Sequence, residues 1–103
     1  MKESEFQKKL IDELKSKFPG SMVLKTDPSY IQGCPDLIML YGKHWAALEC
    51  KRDKNSKKRP NQEYYISKMN KMSYASFVYP ENKKGVLNDL ARAFKPRRNS
   101  RIS

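Results

Sequence analysis

A mixed α/β fold, one β-sheet flanked by helices in the order α-β-β-β-α-β-α, is what this chain of 103 residues predicts. Two stripes of apolar residues at helical spacing lie near the start and past the middle of the chain. Short apolar runs bounded by Gly, Pro and Asp stand between and after them, and a third short stripe closes the pattern. The length allows one domain with a modest core. Hydrophobic residues make up 38%, lean for a globular body, so association into a dimer would help it.

Each element has a local reason. Phe6, Leu10, Ile11, Leu14 and Phe18 recur at helical spacing over residues 3–18, and Pro19-Gly20 stops the run. Residues 21–26 read as a strand, and Asp27-Pro28-Ser29 opens a loop that reaches Gly33. Leu37 to Tyr41 is apolar without alternation, which predicts a strand covered on both faces. Gly42-Lys43-His44 supplies a turn, and Trp45 to Lys51 returns. Arg52 to Arg59 holds five Lys or Arg and reads as an exposed basic loop. Pro60 opens a helix to about Met72 with Tyr65, Ile66, Met69 and Met72 on one face. A strand over residues 74–79 follows, then a helix carrying Val86, Leu87, Leu90, Ala91 and Phe94. The whole is expected to be one domain over residues 1–94 with a basic, flexible tail over 95–103, and no internal repeat is visible.

Lys and Arg outnumber Asp and Glu by 22 to 11, a formal charge of +11. So much charge on so small a body predicts a polyanionic partner and binding that weakens with salt. An anionic membrane competes with nucleic acid for that role. No segment approaches the roughly 20 apolar residues that span a bilayer, and no apolar core follows the basic start as in a signal peptide. Cys34 and Cys50 are too few for a disulfide framework or a zinc site, and read as reduced thiols in a cytoplasmic protein. Nucleic acid is the expected partner.

The chemistry concentrates in Gly33-Cys34-Pro35-Asp36-Leu37-Ile38 and Leu48-Glu49-Cys50-Lys51-Arg52. Two carboxylates and a lysine at the ends of short apolar runs suit a metal-dependent phosphodiesterase. The carboxylates hold a hard divalent cation, and the lysine orients a water or stabilises negative charge. Side chains alternate along a strand, so Glu49 and Lys51 share a face and Cys50 takes the other. A hairpin with Gly42 opposite Trp45 would set Asp36 opposite Lys51 and Ile38 opposite Glu49, while a one-residue slip would turn Asp36 away.

At about 100° per residue, Glu3 and Gln7 lie on the apolar side of the first helix, and Glu5 points away from it. Gln62 aligns with Tyr65, Ile66 and Met69 in the same manner. Polar groups on inward faces need partners, and an acidic metal cluster would supply them. Each signal also has a bland reading: Glu3 as a first-turn acid favoured by the helix dipole, Gln62 as a surface residue, His44 and Trp45 as structural. Tyr30 and Tyr64 are the aromatics set aside as candidates for contact with nucleic acid. The combination E…PD…E-x-K…Q in a basic chain exceeds coincidence.

With those residues in view, the chain resembles a PD-(D/E)XK nuclease of the restriction-endonuclease-like fold, and most closely a minimal stand-alone VRR-NUC domain. Glu3-x-x-Phe6-Gln7-x-x-Leu10-Ile11-x-x-Leu14, Gly33-Cys34-Pro35-Asp36-Leu37, Glu49-Cys50-Lys51 and Gln62 carry the similarity, over residues 3 to about 79. The resemblance implies Mg²⁺ or Mn²⁺ held by Asp36, Glu49, the Cys50 carbonyl and, through water, Glu3. Gln7 is a secondary contributor, and Lys51 and Gln62 join Asp36, Glu49 and Glu3 as catalytic residues. Small viral members of the group resemble homodimeric Holliday-junction resolvases, so a phage-encoded chain acting in its host's cytoplasm is implied as well. Charge alone adds Lys25, Arg52, Lys54, Lys57, Lys58 and Arg59 as candidates for DNA contact. The expectation is a metal-dependent endonuclease acting on branched DNA. The alternatives are a freestanding homing endonuclease cutting or nicking one duplex site, and a non-catalytic nucleic-acid-binding protein. A basic RNA-binding protein of ribosomal type would explain the charge but not the carboxylates.

Overall fold

Phe6, Leu10 and Leu14 stand one helical turn apart and form a buried row along α1 (Glu3–Lys17) in the computed structural model, which describes residues 1–95. The helix ends as expected at Phe18, whose ring is itself buried, followed by Pro19 and Gly20 with φ +89°. The remaining elements are β1 (Met22–Lys25), β2 (Leu37–Tyr41), β3 (His44–Cys50), α2 (Pro60–Met72), β4 (Tyr74–Val78) and α3 (Lys83–Ala93). The order is the expected α-β-β-β-α-β-α, and α3 starts three residues before its apolar stripe. Of the basic tail, all but Lys95 lies outside the described residues.

The four strands lie in chain order in one mixed sheet. β1 and β2 are antiparallel, β2 and β3 form a hairpin, and β3 and β4 are parallel with α2 as the crossover. Leu37, Met39, Ala46, Leu48, Cys50 and Val78 belong to a single buried cluster with α1 and α3 residues, among them Leu90 and Phe94. α2 adds nothing to that cluster and packs over β3 and β4 from the other side. There Ala47 and Ala75 stand opposite each other and are buried, small enough for the helix to approach closely.

Two expectations about β2 are corrected. The hairpin turn is Gly42-Lys43 alone, with Gly42 at φ +62° and Tyr41 opposite His44. The register is thus two residues away from the expected one: Ile38 faces Ala47, not Glu49. Continuing the ladder past Leu37↔Leu48 sets Asp36 opposite Glu49 rather than Lys51. A shift of two preserves the face each side chain takes, so the expected clustering survives. Nor is β2 covered on both faces. Leu40 is 38% exposed, and it neighbours Met22 in the ladder while Ile38 neighbours Leu24. α2 covers only the β3–β4 half of this side, and the β1–β2 half presents Met22, Leu24 and Leu40 to solvent.

Ion pairs and caps trim the far elements. The Lys83 ammonium lies 2.7 Å from Glu13, joining α3 to α1, and the Tyr74 hydroxyl donates to Asp89. His44 stacks on Phe94, in keeping with a structural role. Leu48 sits at the centre of the sheet with no exposure. Leu48→Ala is expected to cost about 2–5 kcal/mol, read as a lower urea midpoint with the slope of the transition unchanged.

Candidate active site

Asp36 and Glu49 are brought together by the hairpin and by a backbone bond across it. The Asp36 Oδ2 accepts the Cys50 N–H at 3.0 Å, so the first carboxylate is tied to the strand that carries the second. β3 ends at Cys50, and the Lys51 N–H donates to the Val78 carbonyl at 2.8 Å, extending the register with β4 to the lysine. Glu49, Cys50 and Lys51 are all buried. Cys50 points into the core, as the alternation requires.

Gln62, in the first turn of α2, joins the charged groups. Its Nε2 donates to Glu49 Oε2 at 3.1 Å, and its Oε1 accepts from Lys51 Nζ at 2.9 Å and from the Arg59 N–H at 3.1 Å. The Lys51 ammonium is 4.0 Å from Glu49 Oε2, so the glutamine contact is the tighter. Pro60 starts the helix where a missing N–H costs nothing, and the crossover returns its first turn to the strand end that bears Glu49. The bland reading of Gln62 as a surface residue is set aside.

The electrostatics follow from placing acids together out of water. Burial pushes the Glu49 carboxyl up to about 8, with the negative charge of Asp36 adding to it and Lys51 opposing. Burial also raises Asp36, against the pull of the Cys50 N–H and Lys51. Glu3 is exposed at the head of α1 yet close enough for its carboxyl to be raised, first by desolvation and then by Asp36. Gln7 is half-buried beside the Cys50 thiol, where it opposes the rise that burial imposes on that group. Glu5, by contrast, turns back to accept from the Lys2 N–H.

One atom speaks to a cation. Glu49 Oε1 is buried and has no hydrogen-bond partner among the described residues, while Oε2 is occupied by Gln62. An orphaned carboxylate oxygen beside a second raised carboxyl suits a hard divalent ion, whose charge would favour both anions. No group of three or more His, Cys, Asp or Glu residues among the described residues is assembled for a metal. The protein offers a two-carboxylate site, with Glu3 at its margin, and water or a ligand's oxygens would complete the shell.

The loop between β1 and β2 was read only as a loop, and its role in fixing Asp36 was missed. Thr26 N donates to the Asp36 carbonyl at 2.9 Å, and its hydroxyl donates to the Pro35 carbonyl at 2.6 Å. Gly33 has φ +88°, and a Cβ there would stand 2.6 Å from Cγ of Asn61, the residue before Gln62. The glycine therefore lets the Asp36 loop touch the α2 turn that holds Glu49 and Lys51. Gly33 and the two residues after it were visible as a motif. Thr26 and Asn61 carried no sequence signal beyond adjacency.

The basic candidates separate. Lys25, Arg52, Lys54, Lys57 and Arg59 are exposed. Lys58 is half-buried, with its ammonium 5.3 Å from the Phe77 ring centre and 5.6 Å from that of Tyr79, so it pins the loop to β4. Asp53 organises the same loop by accepting from the Asn55 N–H. An open hollow lined by Glu3, Arg52, Asp53, Ser56 and Pro80 lies where α1 begins and where β3 and β4 end.

The folded chain holds a proton on Glu49 between pH 4.5 and about 8 that the unfolded chain releases. Without metal, stability should therefore fall as pH rises through that window, because the folded state binds more protons. Raised Asp36 and Glu3 act in the same direction. Thermal midpoints in EDTA should decline from pH 5 to 8, Glu49→Gln should flatten the decline, and Mn²⁺ should raise the midpoint at pH 8. A pH-independent midpoint for the unsubstituted protein would contradict the burial of this carboxyl.

No protein-family model and no curated protein matches the sequence. Solved structures do resemble the fold. A VRR_NUC domain protein superposes with a TM-score of 0.65 at 19% identity, over 91% of this chain and 88% of that one. Hjc of Archaeoglobus fulgidus, a Holliday junction resolvase from an archaeal hyperthermophile, gives 0.51 at 17% identity, over 74% and 67%. The chain has the fold that the VRR-NUC and restriction-endonuclease resemblance implied, and at these identities the likeness is one of fold.

Proposed function

We propose that this protein is a divalent-metal-dependent endodeoxyribonuclease that hydrolyses phosphodiester bonds in branched DNA of the Holliday-junction type. The observation that carries the reading is the Asp36–Glu49 pair, whose Glu49 Oε1 is unpartnered among the described residues and whose Oε2 lies 4.0 Å from the buried Lys51 ammonium, in a chain of charge +11. A pure binder of nucleic acid gains nothing by burying acids that repel phosphate. The fold shared with a VRR_NUC domain protein and with a Holliday junction resolvase supports both the chemistry and the substrate class.

Asp36 and Glu49 would hold Mg²⁺ or Mn²⁺, together with the Cys50 carbonyl and, through water, Glu3. When bound, the cation lowers the pKa of a water and offsets charge on the phosphate. The other steps belong to the chain. Gln62 holds the Lys51 ammonium on one side of the pair, where it can donate to the attacking water or to a non-bridging phosphate oxygen. The water oxygen bonds to phosphorus and gives up a proton to solvent as one ester P–O bond breaks, and the departing oxygen takes a proton from solvent. Gln62 touches Glu49 and Lys51 and acts by positioning both.

Exposed Arg52, Lys54, Lys57 and Arg59 follow the site in sequence and supply phosphate contacts, and Lys25 flanks the loop that leads to Asp36. A homodimer would give two active sites for two strands. The uncovered face of β1 and β2, with Met22, Leu24 and Leu40 and no charged side chain between them, is the surface for it.

A labelled four-way junction and its matched linear duplex should be incubated with Mg²⁺, Mn²⁺ or EDTA. Metal-dependent paired nicks in the junction alone are expected. Asp36→Ala or Glu49→Ala should lower the rate at least a hundredfold, to the order expected for losing a charge-stabilising group, and leave binding intact or tighter. Cutting of one site in a long natural duplex with an intact junction would reassign the substrate to that of a homing endonuclease. Silence on every DNA would leave a binding protein. Replacing Lys54 and Lys57 by Gln should reduce the slope of log affinity against log salt by about two, and an unchanged slope would clear them of phosphate contact.

A further inference from the structure

The β1–β2 loop projects a tyrosine that the fold does not use. Tyr30 is 84% exposed, and Ile31 beside it is 36% exposed. The loop holding them is nonetheless built. Asp27 Oδ1 accepts from the Ser29 N–H and hydroxyl, Tyr30 N donates to the Asp27 carbonyl, and Cys34 N donates to the Ile31 carbonyl. Its two ends are joined where Thr26 bonds Asp36 and Pro35, and its Gly33 rests on Asn61. The backbone that carries the ring is therefore tied to the backbone that carries Asp36.

Charge narrows what it meets. Twenty-two of the 103 residues are Lys or Arg, yet none falls between Asp27 and Pro35, and the loop's one charged side chain is an acid. That acid is held below the usual carboxylate range by its Ser29 bonds. A loop without a cation lacks the charge that dominates phosphate binding. What it offers DNA is an apolar edge and a π face, which suit a base. In an uninterrupted duplex the base faces are covered by stacking. They open at branch points, fork junctions and strand ends.

We infer that Tyr30, backed by Ile31, is a stacking platform that engages the unstacked base at a DNA branch and so selects branched over continuous duplex substrate. The inference rests on the nuclease reading above and gives it a source of structure selectivity. Phosphate contacts by the basic loop supply affinity, and whether a base is stacked is read at its face.

The test is binding in Ca²⁺ buffer of a forked or four-way DNA with 2-aminopurine at the branch, against a duplex of matched length, with the duplex ends of both DNAs closed by the same hairpin caps, for the unsubstituted protein, Tyr30→Ala and Tyr30→Phe. Tyr30→Ala should weaken branched-DNA binding about tenfold to a hundredfold and leave duplex binding within about twofold, by the same reasoning. Tyr30→Phe should bind like the unsubstituted protein. The 2-aminopurine emission should be quenched by the unsubstituted protein and Tyr30→Phe but not by Tyr30→Ala. Equal losses on both DNAs, no loss, or quenching that survives in Tyr30→Ala would overturn the inference. So would a change of mass in sedimentation caused by Tyr30→Ala, which would make the ring a contact between copies of the chain. Cleavage in Mg²⁺ is read separately: if the unsubstituted protein cuts nothing, the nuclease reading fails while the binding comparison still decides the role of Tyr30.

Discussion

Two carboxylates held together, Glu49 buried and Asp36 half-buried, are the constraint on which the rest of this structure depends. Burial raises both Asp36 and Glu49, and the charge of Asp36 raises Glu49 further. Their surroundings answer that cost from three directions. The Cys50 N–H donates to Asp36, the Gln62 amide donates to Glu49, and the Lys51 ammonium sits nearby on the glutamine's other end. Each donor belongs to a different part of the fold: strand end, crossover helix and the residue just past β3. The parallel crossover from β3 through α2 to β4 is what brings the helix's first turn back to the carboxylates.

The sheet divides its labour by face. One side carries the cluster that buries α1 and α3, and its residues alternate with those of the site along β3. Leu48 and Cys50 belong to the core, whereas Glu49 and Lys51 meet α2. Stability and chemistry are therefore interleaved one residue apart. Ala47 and Ala75 keep the α2 side thin where the helix must lie close.

Most of this was legible in the chain, for reasons that can be named. Element order and most boundaries followed from apolar periodicity, Pro60, and Pro19-Gly20. The face taken by Glu49 and Lys51 followed from E-x-K spacing alone. Hairpin register did not, because Gly42-Lys43-His44 admits more than one closing pair, and the observed pair lies two residues from the expected one. The site survived that error because a strand repeats every two residues. The exposure of Leu40 was illegible because an apolar run does not reveal how far along a sheet the covering helix reaches. Lys58 was grouped with DNA contacts on charge, and only the positions of Phe77 and Tyr79 show that it is occupied.

The Thr26–Asp36 backbone bond closes the base of the β1–β2 loop before the chain reaches its tip. A closed base separates what lies above it from what lies below. Residues can be added, removed or exchanged around Ser29–Gln32 at a closure cost that grows only slowly with length, while the carboxylate beneath keeps its place. The loop is in that sense an interchangeable fitting on a fixed mount. Related chains could differ in this segment alone, with no compensating change in the sheet, the crossover helix or the acids between them.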